Sequence, residues 1–178
     1  MTAFVSIETT GLLLNSSVWQ FDIKKQGMNP VRYEIKPYAE GFTVNSLLHF
    51  RRRAVIVGAE NIMSLSNFQE FLKTYLGGSF PVMVIWDARF SVPFIERMVS
   101  IGESSFTYYF KPEVIDLKSI YTFLSLSVKD KFPDFKFDTV CRAYGINPTD
   151  RLQATIKLFE NIKENAEQLL FSGSSYTG

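Results

Sequence analysis

Pro81-Val82-Met83-Val84-Ile85-Trp86 is a continuous apolar run with a helical pattern on each side, and this arrangement limits the fold more than any other feature of the chain. A strand that is apolar on both faces belongs inside a sheet whose faces are covered by helices. Ahead of it, Ser66 opens a helix with Gln69 at capping-box spacing. Phe68, Phe71, Leu72, Tyr75 and Leu76 then form one stripe up to Gly77-Gly78. Behind it, Pro93 is placed in the first turn of a second helix, where its missing N–H costs nothing. Phe94, Ile95, Met98 and Val99 are the stripe of that helix, and Gly102 lies beyond its end.

Three strands are expected before this unit. Ala3 to Glu8 is β-rich and stops at Thr9-Thr10-Gly11; Ser17 to Lys24 alternates Val18, Trp19, Phe21 and Ile23 with polar residues. Val31 to Tyr38 alternates Val31, Tyr33 and Ile35 with Arg32, Glu34 and Lys36. Consecutive strands of this kind are expected to pair antiparallel. The last third reads as helices: Asp116 to Val128, a shorter one through Phe137, Val140, Cys141 and Tyr144 that stops at Gly145, and Asp150 to Phe171, capped by Thr149 or Asp150. The expected fold class is α/β, a ribonuclease H-like mixed sheet flanked by helices.

The chain has 178 residues and 17 Phe, which suits one core rather than two, so a single domain is expected over residues 1–171 with a flexible tail at 172–178. Its net charge of +1 gives no global field, so any binding of a polyanion must come from a local patch. The single cysteine, Cys141, excludes an internal disulfide framework and reads as a core thiol. No signal-peptide pattern follows Met1, and no apolar run nears the roughly 20 residues that cross a bilayer. The expectation is an intracellular, cytoplasmic protein with no membrane association.

Two motifs carry a resemblance. Phe4-Val5-Ser6-Ile7-Glu8-Thr9-Thr10-Gly11-Leu12 resembles the first motif of the DEDD (DnaQ-like) 3′-5′ exonucleases, Asp-x-Glu-Thr-Thr-Gly, with Ser6 at the aspartate. Trp86-Asp87-Ala88-Arg89-Phe90-Ser91-Val92-Pro93-Phe94-Ile95 resembles the family's His-Asn-Ala-Arg-Phe-Asp-Val-Pro-Phe-Leu, with Ser91 at the metal-binding aspartate. Val114-Ile115-Asp116, Phe132-Pro133 and Phe137 to Ile146 extend the likeness. In the DEDDh subgroup the next segment supplies a histidine general base and a last metal-ligating aspartate. The helix match places Arg151 on that aspartate, with Asp150 one residue away and no histidine nearby.

What the resemblance implies is an exonuclease fold with a degenerate site. Residues two apart on a strand share a face, which lets the family's carboxylate pair hold two ions roughly 3.5–4 Å apart. Here two of the carboxylates are replaced by Ser6 and Ser91 and a third by Arg151, which removes the anionic oxygens that Mg²⁺ prefers. The vestigial site is therefore Ser6, Glu8, Ser91, Asp150 and Arg151, no cofactor is expected, and the leading expectation is a pseudo-exonuclease that acts by binding nucleic acid or a protein partner. The alternative is a divergent 3′-5′ exonuclease on single-stranded DNA or RNA, in which Glu8, Asp87 and Asp150 hold Mg²⁺ or Mn²⁺.

Several residues have two readings. Arg51-Arg52-Arg53 is either a solvated charged turn or a set of phosphate contacts, with Lys24-Lys25 and Arg89 as weaker candidates of the same kind. Thr9, Thr10, Arg51, Arg52, Arg53, Arg89 and Phe90 form the candidate nucleic-acid contacts. Phe90, Phe94, Tyr108, Tyr109 and Phe110 are either core or stacking platforms for unpaired bases. Asp116 and Asp138 read as helix caps. His49, the only histidine, has no second histidine or cysteine near it in sequence to complete a zinc site.

Overall fold

In the computed structural model the chain is described over residues 1–13, 15–39, 41, 43–101, 104–127 and 134–172. Its internal contacts divide it into two compact units, Met1–Asp116 and Leu117–Gly178.

The first unit is built on five strands: β1 (Thr2–Thr9), β2 (Val18–Lys25), β3 (Val31–Glu34), β4 (Val82–Ile85) and β5 (Val114–Asp116), in the order β3-β2-β1-β4-β5. β1 is antiparallel to β2 and β2 to β3, while β1, β4 and β5 run parallel. The mixed sheet follows from the connections: the polar Gln26–Pro30 turn joins neighbours directly, whereas β4 returns to β1 only after a helical crossover. Three helices belong to this unit, α1 (Val44–Val57), α2 (Leu65–Leu76) and α3 (Ala88–Ser100).

The core lies on one face of the sheet. Ala3 and Val5 of β1, Phe21 and Ile23 of β2, and Met83 and Ile85 of β4 pack with Phe68, Leu72 and Leu76 of α2 and Phe94, Ile95 and Met98 of α3. Each of these side chains larger than alanine contributes about 1.5–3 kcal/mol by leaving water. The helical stripes read from the sequence are the buried faces of α2 and α3. Because β side chains alternate, Phe4, Ser6 and Glu8 fall on the opposite face of β1.

Boundaries differ from the sequence reading in ways that have local causes. α2 is capped by Ser64, whose hydroxyl accepts from the Asn67 N–H at 3.2 Å; Ser66 lies inside the helix, and Gln69 reaches out to the Met98 carbonyl at 2.8 Å. α3 begins at Ala88, so Pro93 stands in its second turn rather than its first. β3 ends at Glu34; the Ile35 N–H still donates to the Trp19 carbonyl at 2.7 Å, and Ile35 makes an isolated bridge to Met63. Arg51-Arg52-Arg53 is not a turn but part of α1, a helix with no buried residue. Gly102 lies outside the described residues.

The second unit contains α4 (Leu117–Ser127), α5 (Phe137–Ala143) and α6 (Arg151–Ser172). The buried Tyr121 hydroxyl donates to the Leu158 carbonyl at 2.9 Å and its ring stands edge-on to Tyr144, tying α4 to α6. Burial, and then the Asp138 carboxylate, push the Cys141 thiol up to about 11, as suits the core position expected of it. Asp138 sits in the first turn of α5 rather than capping it, whereas Asp116, the last residue of β5, directly precedes α4 at the N-cap position. Val128, Phe132 and Pro133, which the sequence reading used, and the tail beyond Ser172 lie outside the described residues.

Candidate functional site

Ser6 and Glu8 point to one face of β1, as their spacing requires, with Asp22 of β2 directly across from Ser6 and Gln20 across from Glu8. Ser6 is buried and Glu8 half-buried. Asp22 is only 1% exposed, and both of its oxygens are committed: Oδ1 accepts from Arg32 Nε and Oδ2 from Arg32 Nη2, each at 2.8 Å, with Gln20 Nε2 adding a bond at 3.1 Å. This fork fixes the guanidinium in plane against Asp22 on β2, the strand that pairs with β1. The sequence reading missed Asp22 and Arg32. The alternation Gln20-Asp22-Lys24 marks a polar face in the sequence, but the partner Arg32 follows only from the strand register.

After Glu8 the pairing register shifts, and the Thr-Thr-Gly segment turns back into the protein. Thr10 is buried, its hydroxyl donating to the Gly41 carbonyl at 2.6 Å and accepting from the Ser17 N–H at 2.8 Å. Thr9 donates to the Gly11 carbonyl at 2.6 Å. A Cβ at Gly11 would come within 2.5 Å of the Ser16 hydroxyl, so a larger residue there requires that side chain to turn away. The Thr43 N–H donates to the Thr10 carbonyl at 2.6 Å, and the Thr43 side chain caps α1, so this turn also fixes where that helix starts.

At the end of β4 the chain passes through Asp87, which adopts a left-handed backbone at φ 59° and ψ 65° and whose carbonyl accepts from the Phe90 and Ser91 N–H groups. Aspartate tolerates that region better than most residues, yet it remains a costly conformation that recurs at functional sites. Ser91 is buried with its hydroxyl 3.4 Å from the Trp86 carbonyl, and Trp86 itself is buried. Arg89 is exposed, and the half-buried Phe90 ring packs at a tilt against Phe94, their centroids 4.9 Å apart.

Along α1, Arg51 and Arg52 are exposed, whereas Arg53 donates from Nε to Oε1 of the buried Glu34 at 2.8 Å. The three arginines are thus not equivalent. His49 lies on the exposed side of the same helix. In the second unit, Asp150 caps α6 by accepting from the Gln153 N–H at 3.0 Å, one of the two caps the sequence offered. The Arg151 guanidinium lies over the Phe137 ring at 4.8 Å, a cation–π contact. Of the five candidate stacking rings, Phe94, Tyr109 and Phe110 are buried, Phe90 is half-buried and Tyr108 is 48% exposed.

The donor set does not fit a two-metal centre. Neutral hydroxyls stand at Ser6 and Ser91, and among the described residues no three His, Cys, Asp or Glu side chains gather where they could hold an ion.

Neither a family model nor a curated protein matches the chain. Solved structures do. The chain is similar to E. coli exonuclease I in complex with a dT13 oligonucleotide, with a TM-score of 0.72 and 13% identity over 96% of this chain. The fold is ribonuclease H-like. The exonuclease I complex with SSB-Ct matches with a TM-score of 0.71 at 14% identity over 94% of the chain, and a product-bound exonuclease I with 0.70 at 14% over 92%. The chain spans 42% of the length of the first two of these proteins, so the likeness is to part of exonuclease I. Among the described residues, no helix is long and apolar enough to cross a membrane.

Proposed function

We propose that this is an exonuclease-fold domain that has lost two-metal hydrolysis and acts by binding single-stranded nucleic acid. The observation that carries the reading is the partner of Asp22. The carboxylate facing Ser6 across the strands is already paired with the Arg32 fork, so it is not free to recruit metal ions beside the first motif. The exposed Arg51, Arg52 and Arg89 offer phosphate contacts, and these are independent of base sequence. Exonuclease I is a protein of the same fold solved with an oligonucleotide and with SSB-Ct, which names nucleic acid and protein as the two partner classes to try; a shared fold does not transfer either.

A second reading, a divergent metal-dependent exonuclease that keeps Glu8 of the first motif, is favoured by the left-handed Asp87 at the head of α3. Calorimetric titration of Mn²⁺ into the wild-type protein and Glu8→Gln separates the two. The binding domain gives no heat above dilution in either protein and releases no mononucleotides from a labelled oligonucleotide over hours. Stoichiometric Mn²⁺ binding lost in Glu8→Gln, together with nucleotide release, overturns it in favour of the enzyme.

A further inference from the structure

A cavity of about 140 Å³ lies where α2 ends and the chain enters β4, lined by Lys73, Leu76, Gly78, Phe80, Tyr108 and Tyr109. It is at the far end of the sheet from Glu8: Thr2 pairs with Val82, two residues past Phe80, and Glu8 is roughly 20 Å further along β1. Phe80 is held at φ 41°, a left-handed conformation strained for a bulky side chain, yet the residue remains 43% exposed. Strain that secures no burial for the residue bearing it points to a role outside the core. Tyr108, 48% exposed, presents a second ring, and Lys73 Nζ stands 5.8 Å from its centroid.

More positive charge surrounds the rings. Lys25 Nζ donates to the Leu76 carbonyl at 2.9 Å, which brings this ammonium to the rim. The exposed Lys111 is tied through its backbone to Pro81. Glu70 is the acidic neighbour of Lys73. The volume falls well below the roughly 300–1,000 Å³ that encloses a whole small molecule, so the cavity suits one ring of a larger ligand.

We propose that this cavity takes a nucleobase carrying phosphate, presented by single-stranded nucleic acid, with the base against Phe80 and Tyr108 and the phosphates on Lys73, Lys25 and Lys111. The inference rests on the nucleic-acid reading above and adds a second contact region, at the opposite end of the sheet. Two flat rings with lysines at their rim match the stacking platforms and cationic tracks that hold unpaired strands.

The test has two arms on the full chain. In the first, dAMP is titrated into ¹⁵N-labelled protein; shifts of the Gly78, Phe80 and Tyr108 amides are expected, and their absence overturns the site whatever an oligonucleotide does. N-acetylphenylalanine moving those amides at lower concentration than dAMP overturns it in favour of a peptide ligand. In the second arm, anisotropy of a labelled dT15 is compared for wild type, Phe80→Asn and Arg51→Ala/Arg52→Ala. Asparagine accepts the left-handed backbone, so Phe80→Asn is expected to keep or raise Tm while weakening binding roughly tenfold. Affinity unchanged in Phe80→Asn but lost in the arginine variant overturns the stacking site and leaves the binding function standing. Shifts with dAMP but no dT15 binding sink that function and support the cavity as a free-nucleotide site.

Discussion

Asp22 and Arg32 form one ion pair with unequal burial, since the Asp22 side chain is 1% exposed and the Arg32 side chain 40%. The two single deletions therefore have different costs. Arg32→Ala strands a buried carboxylate and is expected to cost about 3–5 kcal/mol. Asp22→Asn keeps the shape and lets the guanidinium turn into water, and is expected to cost about 1–2 kcal/mol. Urea unfolding of both variants checks the order; equal losses would mean that the carboxylate is hydrated. At this scale the sequence was legible where residue type carried the signal. Ser6, Ser91 and Arg151 could be read as departures from a motif without any coordinates. The neutralisation of Asp22 could not, because it depends on which strand lies beside which, and that pairing is long-range information.

The start of α2 separates two serines that look alike in sequence. Ser64→Ala removes the hydroxyl that accepts from Asn67 and is expected to cost about 1 kcal/mol, whereas Ser66→Ala changes an exposed residue inside the helix and is expected to be near neutral. Thermal unfolding of the pair decides which serine caps. The capping-box spacing from Ser66 to Gln69 misled because Gln69 is spent on the Met98 carbonyl of α3. Amphipathic helices were legible for the same reason that they are stable: α2 and α3 bury a continuous stripe. α1 buries none, and Val44, Leu48, Val55 and Ile56 stand exposed on it, so hydrophobic periodicity carried no signal there. The Thr43 cap with Ser46 three residues on was the one local clue to it.

For the whole molecule, a net charge of +1 means that binding to a polyanion depends on a few side chains, and salt dependence counts them. In dT15 titrations at several salt concentrations, Arg51→Ala and Arg52→Ala are each expected to reduce the slope of log K against log[salt] by about 0.7. Arg53→Ala is expected to leave the slope alone and lower Tm instead, because it strands the buried Glu34. A slope that falls equally for all three would show that Arg53 leaves Glu34 to meet phosphate. The mixed sheet was legible from the order of strands and helices, and its existence follows from chain connectivity alone. The division of contacts at Asp116 was not, because no change in composition marks it.

The central position of β1 also sets an order of events during synthesis. Its antiparallel neighbour β2 emerges soon after it, but its parallel neighbour β4 begins only at Val82, so in the nascent chain one edge of β1 waits for α1 and α2 to be made. Through that interval Phe4, Val5 and Ile7 sit on an open strand edge, a template for pairing with another chain. A stall in translation before Val82 therefore leaves a fragment in which the β4-facing edge of β1 is unpaired, and aggregation is its expected fate.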